Sequence, residues 1–273
     1  MNIEWCVCDM DGTLLDSRSQ LSAENIQAIQ QLHAAGVEVV LATGRSDLFV
    51  KDVVSQLGVT RPIICCNGGM IRGIENGDIY FSRFIDHDIA GQFVEDCIHN
   101  KRDMLASSPD CIYYLRGSQR VEHYHRYNNQ VRENFRVPLQ EVVSVDNLPT
   151  QKLLKFFVCH VDDDMVATLE KTYNQEGHLS MVRSQRGALD IMAKGISKGE
   201  ALLTYAQLFG MDLAKTVVFG DHQNDISMFL QAGYPIAVGN AEQEVKEIAK
   251  YITRSNDESG VAYAIHNYII NQE

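Results

Sequence analysis

Ile3-Glu4-Trp5-Cys6-Val7-Cys8-Asp9-Met10-Asp11-Gly12-Thr13 decides how this chain is read: an apolar run leads straight into two carboxylates and a glycine. Residues i and i+2 of an extended strand point to one side, so Asp9 and Asp11 address one ligand while Met10 faces elsewhere. Gly12 lets the chain turn sharply. Like charges about 4 Å apart cost on the order of 4 kcal/mol at an effective dielectric near 20, so the pair requires a cation or a shared proton. Magnesium suits hard carboxylate oxygens. Two acids so placed suit a metal-assisted nucleophile beside a proton donor. Taken alone, such a pair more often caps a helix or decorates a turn, and the rest of the chain decides.

Working outward, strands and helices alternate. Ile3 to Cys8 reads as a strand. A helix over 23–35 has Ser22 as N-cap and Gly36 just past its end. Val37 to Ala42 is a second strand, Asp47 to Leu57 a second helix stopped by Gly58, and Pro62 to Cys66 a third strand. Helices linking buried strands imply a parallel sheet. Glu75-Asn76-Gly77-Asp78 then reads as a hairpin turn between two short strands.

From about Arg83 to Leu189 the pattern changes to an α+β unit with two helix-strand-strand blocks. Its helices carry Ile85, Ile89, Phe93 and Cys97, then Tyr124, Tyr127, Val131 and Phe135, then Val166, Leu169 and Tyr173. After Gly195 the first rhythm returns, with a helix from Lys198 to Phe209 and a strand from Thr216 to Phe219. A further helix from Ile226, a strand from Pro235 and a terminal helix from Val261 complete it. The expected fold is therefore α/β, a Rossmann-like parallel-sheet core over 1–82 and 190–273 with an inserted α+β cap domain over 83–189.

Composition sets the class of partner. A 273-residue chain with a formal net charge of -12 disfavours nucleic acid or an anionic membrane surface, and an anionic substrate would need local cations. No apolar run approaches the roughly 20 residues of a membrane span, and a cytoplasmic protein is expected. The seven cysteines are an odd number, and Cys6, Cys8, Cys65 and Cys66 lie in strand-like runs where thiols serve as small core residues. They lack the spacing of a zinc site.

Three further elements fall where an open parallel sheet places its active site, outside the carboxyl ends of its strands. Thr43-Gly44-Arg45 follows the second strand, offering a hydroxyl and backbone amides to phosphate oxygens. Lys198 starts a helix, where the dipole disfavours a cation unless it faces an anion. Gly220-Asp221-His222-Gln223-Asn224-Asp225 follows another strand and adds two acids and an amide. Four carboxylates facing one lysine require a divalent cation.

These residues resemble the haloacid dehalogenase superfamily, and within it the Cof-type phosphatases with a large cap after the third core strand. The likeness is carried by DMDGT at Asp9, ATGR around Thr43, Asn67-Gly68-Gly69, GISKGEAL around Lys198, GDHQND at Asp221 and the tail VGNAEQEVKEIAKYITRSNDESGVA. The resemblance implies a Mg2+-dependent phosphatase of small phosphorylated metabolites, with sugar phosphates foremost. Asp9 would be the nucleophile and Asp11 the general acid and base. Magnesium would be held by the Asp9 side chain, the Asp11 backbone carbonyl and Asp221, with Asp225 supporting it and orienting Lys198. Thr43, Gly44, Lys198 and Asn224 would hold the phosphoryl oxygens. The cap would act as a lid, with one or two of Arg116, Arg120, His123, His125, Arg183 and Arg186 reaching substrate. A phosphomutase would use the same intermediate, and a phospho-receiver module is the non-enzyme reading, disfavoured by the early D-x-D and the large insertion.

Overall fold

The computed structural model describes residues 2–185 and 187–270. The first stretch runs β1 (Trp5–Cys8), α1 (Ala23–Ala34), β2 (Glu38–Leu41), α2 (Lys51–Leu57), β3 (Ile63–Cys65), β4 (Met70–Arg72) and β5 (Ile79–Ser82). The middle runs α3 (His87–His99), β6 (Met104–Ser107), β7 (Ile112–Leu115), α4 (Val121–Gln130), β8 (Leu139–Val142), β9 (Lys155–Cys159), α5 (Asp163–Tyr173), β10 (Leu179–Gln185) and β11 (Ala188–Ala193). The last is α6 (Lys198–Phe209), β12 (Thr216–Gly220), α7 (Gln223–Phe229), β13 (Tyr234–Ala237), α8 (Gln243–Ile248), β14 (Tyr251–Ile252) and α9 (Gly260–Ala264).

Two compact units result, one of 1–44, 53–80 and 197–273, the other of 45–52 and 81–196. In the first, five strands lie in the order β14-β13-β12-β1-β2, all parallel. All four residues of β1 are buried, as a central strand covered on both faces must be. A parallel bridge between Ala42 and Ile64 carries the chain on to the small antiparallel sheet β3-β4-β5, with the expected hairpin between its last two strands.

The second unit is a six-stranded sheet, β10-β11-β9-β6-β7-β8, antiparallel except for β7 and β8. One face carries Ala106, Phe156, Val158, Leu189 and Ile191, packed with Phe93, Val94 and Leu169 of α3 and α5. The opposite face carries Leu105, Ile112, Phe157 and Ala188. Because β11 lies between β9 and β10, the strand at 188–193 belongs to this sheet, and the boundary expected at 189/190 moves to 196/197.

The helix expected over 47–57 is also divided. Ser46 caps a single tight turn, Asp47–Phe49, and Val50 leaves helical geometry before α2 begins. Leu48 and Phe49 pack into the second unit's apolar cluster, where Phe49 meets the rings of Tyr124 and Tyr127 at 4.6 and 4.5 Å. A continuous helix would hold both side chains to one axis, and burial in a separate core wins. Helix α4 stops at Gln130, before Val131 and Phe135, because Asn128 pairs with both backbone groups of Val137 and turns the chain back. Among the described residues no helix is long and apolar enough to cross a membrane.

Two buried amides tie the beginning of the chain to its end. Asn25 donates to Leu14 O at 2.9 Å and accepts from Ala262 N at 2.9 Å, while Asn256 donates to Leu15 O at 3.0 Å. Asn25→Ala leaves a buried carbonyl and a buried amide unpaired, and we expect about 2–4 kcal/mol of lost stability in urea unfolding. A loss within experimental error would show that these bonds are replaceable.

Candidate active site

Strand register brings the acidic groups together. Cys8 lies opposite both Phe219 and Leu41, so β1, β12 and β2 end side by side. The amide of Asp9 continues the ladder to Phe219 O at 3.0 Å, and Ala42 N bonds Cys8 O at 2.9 Å. Asp9 follows β1 directly, Thr43 follows β2 after the single intervening residue Ala42, and Asp221 follows β12 directly. Gly12 makes the close approach possible. Its φ is +79°, and a Cβ there would lie 2.4 Å from Asp221 Oδ2.

Lys198 opens α6, whose N-cap Ser197 accepts from Glu200 N at 3.1 Å. The helix start sits hard against the loop after β3, since a Cβ on Gly68 would lie 2.3 Å from Ser197 O. The lysine is buried, 1 % exposed, so its charge is not met by solvent. Its Nζ donates to Asp9 Oδ1 at 2.5 Å and to Asp225 Oδ1 at 2.6 Å. The other oxygen of Asp225 accepts from the Asp221 and His222 amides at 2.9 and 3.1 Å. Asp225 is thereby committed to positioning its neighbours. Asp221 Oδ1 accepts from Thr13 Oγ1 at 2.9 Å.

Electrostatics follow from that packing. Burial pushes the Asp9 carboxyl up to about 7, against the opposing pull of Lys198. Burial, with Asp9 and Asp225 nearby, pushes Asp221 up to about 9. For Lys198 burial works the other way, and the carboxylates of Asp225 and Asp9 outweigh it, holding the ammonium above its ordinary range. One oxygen from each of Asp9, Asp221 and Asp225 falls within a span of 4.8 Å, the one such group among the described residues. Hard oxygens in excess over one ammonium, two of them on acids that cannot ionise cheaply alone, fit a divalent cation such as magnesium.

Asp11, two residues beyond Asp9, is exposed and bridges to Leu15. Thr43 is fully buried, and its carbonyl accepts from Asn67 N at 3.0 Å. Asn67, in a left-handed conformation (φ 55°), accepts at Oδ1 from Asn224 Nδ2 at 3.0 Å, and the same oxygen lies 3.0 Å from where a Cβ on Gly44 would stand. Thr43, Gly44, Asn67 and Asn224 thus form one polar rim. Asn240, which no sequence signal singled out, makes two supporting contacts. Asn240 Nδ2 bonds Gly12 O at 2.8 Å, and Asn240 Oδ1 accepts from Asn256 N at 2.9 Å, both within the tail already quoted.

In the second unit the six basic candidates divide differently. Arg116 pairs with Glu141 at 2.7 Å, Arg183 pairs with Asp163, and the Arg120 guanidinium lies 4.9 Å from the centre of the Phe157 ring. His123 and His125 pack edge-on against Phe49 and Tyr114. Arg186 lies outside the described residues. The seven cysteines are free thiols, as expected.

A model of the haloacid dehalogenase-like hydrolases matches residues 6–265. The chain belongs to this family. It is 30% identical over 283 residues to the 5-amino-6-(5-phospho-D-ribitylamino)uracil phosphatase YwtE of Bacillus subtilis, covering 97% of each chain. It is 26% identical over 264 residues to the pyridoxal phosphate phosphatase YbhA of Escherichia coli, covering 96% and 97%. Among solved structures, a haloacid dehalogenase-like hydrolase from B. subtilis superimposes with a TM-score of 0.85 at 26% identity, covering 98% of this chain and 100% of that one. Another from Bacteroides thetaiotaomicron gives 0.83 at 25%, covering 97% and 98%. The protein is a haloacid dehalogenase-type phosphatase.

The raised carboxyls give a signed pH dependence. In the metal-free fold Asp9 and Asp221 keep protons that the unfolded chain releases, so their contribution to stability is present at acid pH and is lost as pH rises through about 7 and then about 9. Divalent ion binding displaces those protons. The gain in melting temperature from ~5 mM magnesium should therefore be larger at about pH 9 than at about pH 6, and Asp221→Asn should erase the difference. A gain independent of pH would contradict the assignment.

Proposed function

We propose that this phosphatase hydrolyses small phosphate monoesters, sugar phosphates foremost, in two steps through a phosphorylated Asp9. The observation that carries the reading is Lys198 buried between Asp9 and Asp225. A cation sealed against two acids pins one oxygen of Asp9 and leaves the other to attack phosphorus. That attack forms the Asp9 O–P bond and breaks the ester P–O bond, and Asp11 gives its proton to the departing alcohol oxygen. Asp11, now ionised and exposed, takes a proton from the water that attacks the phosphorylated Asp9, releasing phosphate and restoring the carboxylate.

Magnesium held by Asp9, the Asp11 carbonyl and Asp221 would supply the positive charge that keeps these carboxylates ionised and offsets charge on the phosphoryl oxygens. Thr43, the Gly44 amide, Lys198 and Asn224 hold those oxygens, with Asn67 fixing the Asn224 side chain. Asp225 orients Lys198 and the Asp221 backbone and takes no direct part in bond making. The second unit selects among leaving groups. The relatives' named substrates, a ribityl phosphate and pyridoxal phosphate, support small phosphorylated metabolites as the class.

Asp9→Asn keeps the shape but removes the nucleophile. We expect phosphate release from p-nitrophenyl phosphate to fall by at least ~10³-fold with an unchanged circular dichroism spectrum. Undiminished turnover would refute the role of Asp9. Excess chelator should stop turnover and added magnesium restore it, whereas persistence in chelator would overturn the metal requirement.

A further inference from the structure

Six non-glycine residues of the described chain have a positive φ, and four of them fall at two places. Cys66 and Asn67 lie in the loop after β3, where Asn67 accepts from Asn224. Lys101 (φ 51°) and His160 (φ 57°) both line one cavity of about 300 Å³ in the second unit. The cavity forms where the turns α3–β6, β7–α4 and β9–α5 meet, and shares no residue with the catalytic cluster.

The position of Lys101 is one that favours glycine. It follows the C-cap of α3, with its amide bonded to Ile98 O at 3.3 Å and that of Arg102 to Cys97 O at 2.9 Å, a helix-ending reversal whose left-handed residue is usually glycine. A lysine stands there instead, and a histidine stands at the comparable point after β9. Backbone strain of this kind gathers where a side chain is needed for binding.

Two cations, Lys101 and Arg102, line the cavity with one carboxylate, Asp103, and the His160 ring. Among the described residues neither the Lys101 ammonium nor the His160 ring forms a hydrogen bond or ion pair. Arg102 uses Nε on Asp96 at 3.2 Å, leaving its terminal nitrogens. Asp103 is spent on Ser118 Oγ at 2.5 Å and on the amides of Gln119 and Arg120 at 3.0 and 3.3 Å. Burial, with Asp103 nearby, pushes the Cys159 thiol up to about 11, so it adds no negative charge.

We propose that this cavity binds a small anion through a phosphate or carboxylate group, with Lys101 and His160 as its principal donors and Arg102 and Gln119 beside them. The site stands independently of the catalytic reading.

The test uses amide spectra of the full-length protein in excess chelator, titrated with inorganic phosphate and, in a second arm, with succinate. Without a divalent ion the catalytic cluster keeps its surplus of carboxylates and is a poor anion site. Saturable shifts at Lys101, Gln119 and His160 are expected in at least one arm, and the arm that responds distinguishes a phosphoryl from a carboxylate ligand. Lys101→Gly should weaken that affinity about tenfold, raise the melting temperature by roughly 2–4 °C through relief of strain, and leave turnover with magnesium unchanged. The proposal fails if neither anion saturates those amides by ~20 mM, or if Lys101→Gly binds as the wild type does. It also fails if that variant melts lower, since the lysine would then serve only the end of α3.

Discussion

The buried ammonium of Lys198, shared between Asp9 and Asp225, is the contact on which the rest of the molecule depends. Breaking a buried charge pair from one side costs about 3–5 kcal/mol, because the remaining charge has lost both water and partner. Here one cation serves two acids, with a third, Asp221, alongside. The arrangement holds only if all of them arrive together, and the fold is organised to that end. Parallel register delivers Asp9 and Asp221, and the contact of Gly68 with Ser197 seats the start of α6. Helix dipoles disfavour a cation at that end, so the position of Lys198 is intelligible only from the carboxylates it meets.

The cluster also explains why two distant parts of the chain form one unit. Asp9 lies near the start and Asp221 and Asp225 near the end, with a second unit between them. Asn25, Asn240 and Asn256 close that gap with hydrogen bonds from the tail to the backbone of 12–15 and to α1. Buried amides suit this task, since each offers both a donor and an acceptor to a loop whose backbone groups would otherwise be unpaired. The loop that carries Asp9 is therefore fixed from both sides, by a strand ladder before it and by the tail after it.

Much of this was legible in the sequence where local signals and tertiary demands agree. The β1 run, α1 with its Ser22 cap, α6 from Lys198 to Phe209 with Gly210 in a left-handed C-cap, and the Asn76-Gly77 hairpin all appear in place. The family resemblance rested on the same residues that the structure brings to one end of the sheet. What was not legible arises from long-range packing. Nothing local shows that Leu48 and Phe49 serve the second unit's core, and the periodicity through Leu57 hides the break. Leu139-Gln140-Glu141-Val142 has too little apolar alternation to read as a strand, yet it pairs in parallel with β7 at a sheet edge, where one polar side suffices. Basic residues of the second unit could be counted but not aimed, and Arg116 and Arg183 are taken up by exposed acids.

The net charge and the site chemistry are linked by the same physics. A chain of charge -12 repels phosphate esters at long range, and its catalytic cluster adds carboxylates at short range. The excess is useful only if it is cancelled locally, and burial together with neighbouring carboxylates raises Asp9 and Asp221 despite the one lysine. A site balanced by more lysines would bind phosphate without a metal but would hold product as firmly as substrate. On the proposed reading, leaving the balance to an exchangeable divalent ion would make affinity for the phosphoryl group conditional, with Lys198 holding one oxygen of Asp9 in place.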